Sequence, residues 1–332
     1  MEYHIKQSIE AFGVARGRPY SPSSIKIYCS NIKNLHVMCN GHDESFTSLS
    51  FLSDYKKVEE VLGDLKMTTR RNYLNAVLVA LHSESPKNEM LITYYAGKRD
   101  VMNFKTSQLN SKTGLTDSQT QVFQKVSKGN IDALILSIDP VKIKYSHYDL
   151  MMYMLLLIHR AYPLRNECGD MKFIKRRQYN SLSDEGKKET NWILLDASGG
   201  TGVFILSKYK TSKVYGTKEF PVSAEIMPVI RLWLKQRQIK ITDIKDDFTP
   251  PFLCFSNGNG MTRNALSHKF SDYTKERLGA PISTTLMAKY YSIELDMESS
   301  LEDIEKAQLR ADMRGHSMAT QMAHYQVKST TE

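Results

Sequence analysis

Cysteine and long apolar runs are both scarce in this sequence. The cysteines lie far apart, without the C-x-x-C spacing of a zinc site or the density of a disulfide scaffold. No apolar run approaches the roughly 18 residues that a transmembrane helix needs, and the charged start MEYHIKQSIEAF is unlike a signal peptide. We therefore predict an intracellular protein with four reduced, mostly buried thiols, at Cys29, Cys39, Cys168 and Cys254.

The motifs of metal-dependent and nucleotide-dependent catalysis are also missing. The sequence has no G-x-x-x-x-G-K-[ST] phosphate loop and no cluster of carboxylates spaced as in metal-dependent nucleases. We expect no divalent ion, no ATP and no other cofactor.

Size and charge are the first positive indications. A chain of 332 residues is long enough for two domains of roughly 100 to 200 residues each. Its 41% of hydrophobic residues is typical of a folded protein. The net charge of +9, from 45 Lys and Arg against 36 Asp and Glu, favours a polyanionic partner such as nucleic acid.

The first third of the chain has the apolar spacing of helices. Ser21 is a candidate N-cap with Pro22 at the first helical position, and an apolar stripe follows. Two further helical patterns follow, in FLSDYKKVEEVLGDL and TTRRNYLNAVLVALHSES, and the second has Arg70 and Arg71 at its start. We predict an N-terminal helical DNA-binding domain over residues 1–105.

A polar stretch, TSQLNSKTGLTDS, predicts a linker over residues 106–118. The second domain, 119–332, contains the apolar segment HYDLMMYMLLLIHRAY, which we interpret as a buried core helix. Short runs rich in Ile, Val and Phe follow and predict strands at WILLDAS, GVFILSKYK and KEFPVSA. Helical patterns then return at EIMPVIRLWLKQRQI, RNALSHKFSDYTKERL and from Ile282 to the end. The predicted fold class is mainly α with a small antiparallel sheet.

Three segments of the second domain carry a family signature in order. HRAYPLRNECGDMKF presents Arg165 after a core helix, and FILSKYKTSKVYGTKEFPV presents Lys210 on a hairpin, with Lys208 and Lys213 as competitors. RGHSMATQMAHYQV has a Gly-His pair, with His316 followed nine residues later by Tyr325. Together these segments resemble the tyrosine recombinase (phage integrase) family, in which they hold the first arginine, the hairpin lysine and the closing box with the nucleophile.

A fourth segment departs from the family pattern. Tyrosine recombinases carry a second arginine in an H-x-x-R motif between the hairpin and the closing box. Here the segment PISTTLMAKYYSIEL has Thr285 in place of the histidine and Ala288 in place of the arginine. Lys289 is adjacent and is a candidate substitute, although an ammonium lacks the planar pair of donors of a guanidinium.

The resemblance implies the chemistry of DNA strand exchange. A tyrosine hydroxyl has a pKa near 10, so Tyr325 attacks a phosphate only if positive charge makes the phosphorus electrophilic. Arg165 would bind the non-bridging oxygens, and Lys210 would protonate the leaving 5′-oxygen. His316 would either donate to a phosphate oxygen or take the tyrosine proton. The product is a 3′-phosphotyrosyl bond.

The resemblance also implies partners. Members of the family act as tetramers on paired sites in double-stranded DNA, and the lysine-rich and tyrosine-rich composition is similar to that of recombinases of mobile elements and DNA viruses. Phosphate contacts are expected from basic side chains in both domains, and each of these has the alternative interpretation of a solvated surface charge. The candidates are Arg70, Arg71, Lys208, Lys213, Arg263 and Lys269.

Three alternatives stay open at this point. The chain is a site-specific recombinase or integrase, whether or not Ala288 impairs it, or a DNA-binding relative that has lost the chemistry, or a type IB topoisomerase that uses a similar tyrosine as a monomer. A basic protein unrelated to the family is the remaining reading, and it requires the ordered segments to be coincidental.

Overall fold

A computed structural model describes residues 2–42, 45–245, 247–293 and 298–324, with the backbone alone at 2–3 and 106–113. Contacts divide the chain into two compact units, Met1–Asn110 and Ser111–Glu332. In the parts described, the protein is mainly helical with one small sheet. All four cysteines are buried thiols, as predicted. Within these parts, no helix is long and apolar enough to span a membrane.

Unit 1 is a bundle of helices around its own apolar core. The predicted helix start at Ser21 is confirmed, since the Ser24 N–H donates to the Ser21 hydroxyl at 3.1 Å. The apolar faces of the helices meet in one buried cluster that includes Ile32, Leu52 and Val77. The helices are α1 (Glu2–Ala15), α2 (Pro22–Asn40), α3 (Tyr55–Gly63), α4 (Met67–Ser83) and α5 (Glu89–Thr113).

Residues 106–118 were predicted to form a linker of loop structure, and the prediction of a loop is wrong. The stretch contains the division between the two units, but its first part continues α5 to Thr113 and its last part begins α6 (Asp117–Lys125). Residues 106–113 contain neither glycine nor proline, so a polar composition did not prevent a helix there. Only residues 114–116 separate the two helices.

Unit 2 is built around one buried helix, as the sequence predicted. In α9 (His147–Ala161), every residue from Leu150 to His159 except Tyr153 is buried. Its neighbours include α7, α8, α13, α14 and α15. The helices of unit 2 other than α6 and α9 are α7 (Lys128–Ser137), α8 (Pro140–Ile143), α10 (Arg176–Ser181), α11 (Asp184–Lys188), α12 (Ser212–Tyr215), α13 (Ile226–Gln236), α14 (Arg263–Leu278), α15 (Thr284–Tyr290), α16 (Leu301–Arg314) and α17 (Met318–His324).

The sheet contains the three predicted strands and one more. The predicted strands are β2 (Trp192–Leu195), β3 (Gly202–Leu206) and β4 (Lys218–Pro221), and they pair antiparallel. β1 (Lys172–Lys175) adds to the edge in parallel with β2, so the sheet is mixed and not purely antiparallel. After β1 the chain passes through α10 and α11 and returns to the end of the sheet at which β1 begins. β2 therefore runs in the same direction as β1.

Candidate active site

Arg165 lies in the short segment between α9 and a turn of 3-10 helix, Glu167–Asp170. Its backbone N–H donates to the buried Glu167 carboxylate at 2.6 Å. The next residue, Asn166, accepts a hydrogen bond of 2.8 Å from the Thr284 hydroxyl at the start of α15. Because both ends of the segment are tied to buried partners, the Arg165 backbone is held in one place.

The 3-10 turn approaches α14 very closely at Gly169. A Cβ atom at this position would lie 2.8 Å from the Arg263 backbone, so only glycine permits the contact. Arg263 itself donates from Nε to both Asp170 oxygens at 2.9 Å and from Nη2 to the Lys208 carbonyl at 2.5 Å. This arginine, a predicted phosphate contact, therefore joins the turn to the strand end in the structure.

The closing box begins where α16 ends. Gly315 has φ +73 and ψ +56, the left-handed conformation that terminates helices, and the His316 N–H returns to the Ala311 carbonyl at 3.2 Å. His316 is buried, and its Nδ1 lies 3.1 Å from the Ser317 carbonyl. Since a carbonyl oxygen only accepts, Nδ1 carries the hydrogen, and the neutral ring has its acceptor at Nε2.

The pKa of His316 is lowered, first by burial and then by the positive charges of Arg314, Arg165 and Lys218, against a raising effect from the Ser317 backbone. The ring is therefore neutral at pH 7. A neutral imidazole with an acceptor at Nε2 matches the proton-accepting role that the sequence left open better than the phosphate-donating one.

The hairpin between β3 and β4 contacts the closing box directly. The Thr211 hydroxyl donates to the Gly315 carbonyl at 2.7 Å. Lys210 is exposed in the adjoining turn, and Lys213 is exposed on α12. Lys208 is also exposed, and its ammonium lies 3.3 Å from the Glu189 carbonyl. The structure thus brings the predicted lysine turn next to the residue that precedes His316.

A further hairpin lysine was missed by the sequence reasoning. Lys218, at the start of β4, is half-buried, and its ammonium donates to the Asp312 carbonyl on α16. Burial lowers its pKa, and Asp312 partly offsets this. No sequence motif includes Lys218. The only available signal was its position in a predicted hairpin strand, where alternate side chains point to the same face.

Arg314 is the second residue that the sequence did not reveal. It is 3% exposed, its Nη1 donates to the Pro163 carbonyl at 2.8 Å, and its Nη2 lies 3.4 Å from the Thr285 hydroxyl. In turn, Arg165 Nη1 donates to the Arg314 backbone carbonyl at 3.0 Å. The only sequence signal was its position directly before the Gly-His pair.

The predicted substitute at position 289 points elsewhere. The Lys289 ammonium is buried and donates to the Gly114 carbonyl and to the Gln119 side chain, the latter at 2.9 Å. Ala288 is buried within α15. The charge of Lys289 is therefore directed toward the start of α6 and not toward the contacts of Arg165.

Several positive side chains converge around the closing box. We call the positive side chains Arg165, Lys218, Arg310 and Arg314 the cationic cluster, and the neutral ring of His316 lies beside Arg165, Lys218 and Arg314. Burial and the charge of Arg314 lower the pKa of Arg310 to about 10. The same two causes lower the pKa of the fully buried His159, beside the cluster, to about 3. Like charges that are partly buried together repel one another, and a phosphate bound beside them would reduce that repulsion.

The remaining predicted contacts are Arg70 and Arg71 in unit 1 and Lys269 in unit 2. In unit 1, Arg70 donates to the Leu65 carbonyl at 2.6 Å and to the Gly63 carbonyl, so it caps the end of α3. Arg71 is half-buried on α4, and Lys269 is exposed on α14. Tyr325, the predicted nucleophile, lies outside the described residues; α17 ends at His324, the residue before it.

Comparison with known proteins adds no relative. No model of a known protein family matches the chain, and no curated protein matches it. The functional argument therefore depends on the residues and their geometry.

Proposed function

We propose that this chain is a tyrosine recombinase, a DNA strand-exchange protein that cleaves and rejoins DNA through a 3′-phosphotyrosyl bond to Tyr325. The observation that carries the proposal is the meeting of Arg165 and His316, which are distant in the sequence of unit 2. Arg165 donates to the backbone two residues before His316 and lowers its pKa. The two sequence segments that suggested the family are thus neighbours in space.

The finer architecture follows from the same proposal. Unit 1 would be the helical core-binding domain and unit 2 the catalytic domain, with double-stranded DNA as the partner and a homo-tetramer on paired sites as the working assembly. Unit 1 has side chains of both charges, whereas unit 2 contains the cationic cluster. This difference supports a role in DNA binding for unit 1 and a role in catalysis for unit 2.

Each residue has a defined role in the reaction. Arg165 binds the non-bridging oxygens of the scissile phosphate, where negative charge accumulates in the transition state. The Tyr325 oxygen forms a bond to phosphorus, its proton passes to His316, and the bond to the 5′-oxygen breaks while Lys210 protonates that oxygen. Rejoining reverses these transfers with the 5′-hydroxyl of a new strand.

A second candidate function follows from position 288. If the missing arginine is not replaced, the chain binds DNA without cutting it, because the loss of one charged donor slows phosphoryl transfer by about 10²-fold or more. Ala288, a buried methyl group where the family has a guanidinium, is the observation that favours this alternative.

The test is covalent capture on nicked duplexes made from the sequence that flanks the gene for this chain. In these substrates the short cleaved strand diffuses away and traps the phosphotyrosyl adduct, which a denaturing gel resolves. We would compare the chain with Tyr325→Phe, Arg165→Ala and the control Tyr145→Phe, since Tyr145 is a highly exposed tyrosine of the same unit.

We expect an adduct that Tyr325→Phe abolishes, that Arg165→Ala slows by about 10²-fold to 10³-fold, and that Tyr145→Phe leaves intact. DNA binding without any adduct would favour the silent alternative. An adduct accompanied by relaxation of any supercoiled plasmid would instead identify a topoisomerase.

A further inference from the structure

We infer that Arg314 supplies the second guanidinium of the phosphate site, in place of the arginine that is absent at position 288. The inference rests on the proposed function and deepens it, since it replaces a missing catalytic group with a residue from a different segment. It makes the chain a competent recombinase and not a disabled one.

The first support is position. Thr285 and Ala288 are three residues apart on α15, so they share one face of the helix. The Arg314 guanidinium contacts the Thr285 hydroxyl and therefore lies against that face. A methyl side chain at position 288 leaves room there, whereas an arginine at 288 would need the same space.

The second support is orientation. Arg314 Nη1 is held by the Pro163 carbonyl, two residues before Arg165, while Arg165 Nη1 is held by the Arg314 carbonyl. The Arg314 backbone therefore helps to fix the Arg165 side chain, and the segment that precedes Arg165 helps to fix the Arg314 side chain. Donors that are fixed before the reaction stabilise a developing phosphorane charge without reorganising, which is where most of their effect arises.

The third support is charge. The Pro163 and Thr285 oxygens, both neutral, orient the guanidinium. The charge of Arg314 lowers the pKa of His316, of Arg310 and of His159, which places it at the centre of the cationic cluster. Lys289 does not serve this role, because its ammonium is held at Gly114 and Gln119.

The experiment measures single-turnover adduct formation for Arg314→Met, Arg314→Lys, Ala288→Arg and the double variant Ala288→Arg/Arg314→Met. We expect Arg314→Met to lose about 10²-fold or more in rate, and Arg314→Lys to lose a large part of that because it lacks the planar fork. Ala288→Arg alone should also lose activity through crowding. The double variant should recover at least about tenfold over Arg314→Met, as one guanidinium returns to the shared space.

A binding readout does not depend on strand cleavage. Inorganic phosphate, compared with chloride at equal ionic strength, should raise the melting temperature of the chain, and Arg314→Met should abolish this shift. The matched control is Arg237→Met, since Arg237 is another partly buried arginine of unit 2, held by the Pro251 and Phe252 carbonyls. This control should keep the phosphate shift.

The outcomes separate the two proposals. Loss of the phosphate shift in Arg314→Met, retained in Arg237→Met, supports the Arg314 site even if no adduct forms on any DNA, in which case the proposed function alone fails. An adduct that depends on Tyr325 but not on Arg314, or a phosphate shift that Arg314→Met preserves, would overturn the role of Arg314. If Arg314→Met does not fold, Arg314→Lys decides, and unchanged rate and phosphate shift in that variant overturn the inference.

Discussion

The arginines of the two units are used in different ways. In unit 1, Arg70 is bonded to backbone carbonyls at the end of one helix, near the surface. In unit 2, Arg165, Arg310 and Arg314 gather with His316, and burial together with the charge of Arg314 lowers the pKa values of Arg310 and His316. An arginine on a helix end stabilises the fold, whereas cations grouped at sites of low exposure repel one another unless an anion offsets their charge. The local sequence around an arginine does not distinguish these two roles, whereas the groups that surround its side chain in the structure do.

The largest expected effect is on the rate of DNA cleavage, and it distinguishes Lys210 from the other lysines of the hairpin. Lys210→Ala should slow cleavage by about 10²-fold to 10⁴-fold, because the leaving 5′-oxygen loses its proton donor. Sulfur at the leaving position departs without a proton, so a substrate with a bridging 5′-sulfur should restore the rate. The measurement is single-turnover cleavage of both substrates.

Two other lysines serve as controls for this prediction. Lys213→Ala, on the same exposed hairpin, should change little with either substrate. Lys218→Ala should slow both substrates alike, since its ammonium is held at the Asp312 carbonyl and its charge adds to the effect of burial in lowering the pKa of His316. Restoration by sulfur in Lys218→Ala and not in Lys210→Ala would transfer the acid role to Lys218.

The next effect concerns the junction that holds the cluster together. Gly315→Ala would place a Cβ 2.7 Å from both Thr211 Oγ1 and Tyr209 Cε2, at φ +73. Strain and overpacking together should lower the free energy of unfolding by about 2–4 kcal/mol. Chemical denaturation measures this value. Gly216→Ala is the control: φ is +68 there, but nothing lies within 4 Å, so only the backbone strain of about 1 kcal/mol is expected.

The third prediction concerns the free energy of protonating His159, which is buried beside the cluster. His159 has a folded-state pKa of about 3, lowered by burial and by Arg314, against an ordinary value near 6.5. Between these values the unfolded chain binds a proton that the folded chain does not. The free energy of unfolding should therefore fall by up to about 1.4 kcal/mol per pH unit as the pH drops below 6.5.

The substitution His159→Phe should remove this part of the pH dependence while keeping a ring against Phe270. Denaturation at several pH values compares the two chains. Equal slopes in both would show that His159 already takes up its proton in the folded state.

The smallest effects are expected in unit 1. Arg70→Ala should lower the free energy of unfolding by about 1 kcal/mol, because two carbonyls at the end of α3 lose their donor. Arg71→Ala should leave stability unchanged and reduce the slope of log affinity against log salt for DNA by about one. Thermal melts and DNA titrations at several salt concentrations measure the two. A reversed pattern would mean that Arg70 is the DNA contact of this helix.

Much of the fold was predictable because its signals are local. The cap at Ser21, the buried helix α9 and the strands β2, β3 and β4 each follow from a pattern within a few residues. β1 was missed because only two apolar residues, between two lysines, give no clear alternation. The helical extension of α5 was missed because a polar helix and a polar loop have similar compositions.

The candidate site was predictable only where a motif covers it. The spacing of Gly315 and His316 from Tyr325 predicted the closing box. In the structure, Arg165 contacts the residue directly before this segment. Arg314 and Lys218 were missed because their meaning arises from contacts with Thr285 and Asp312, which are distant in sequence. Sequence distance hides such pairs, since any surface arginine or lysine has the same local appearance.

The bond from Arg165 to the carbonyl of residue 314 has an evolutionary consequence. Every amino acid offers that acceptor, so the anchoring of Arg165 does not depend on which side chain stands at 314. Mutation at 314 can therefore add or remove a charge without dislodging its neighbour. A lineage that had lost the arginine at 288 would have had an open route to regain a guanidinium from another helix, one substitution at a time.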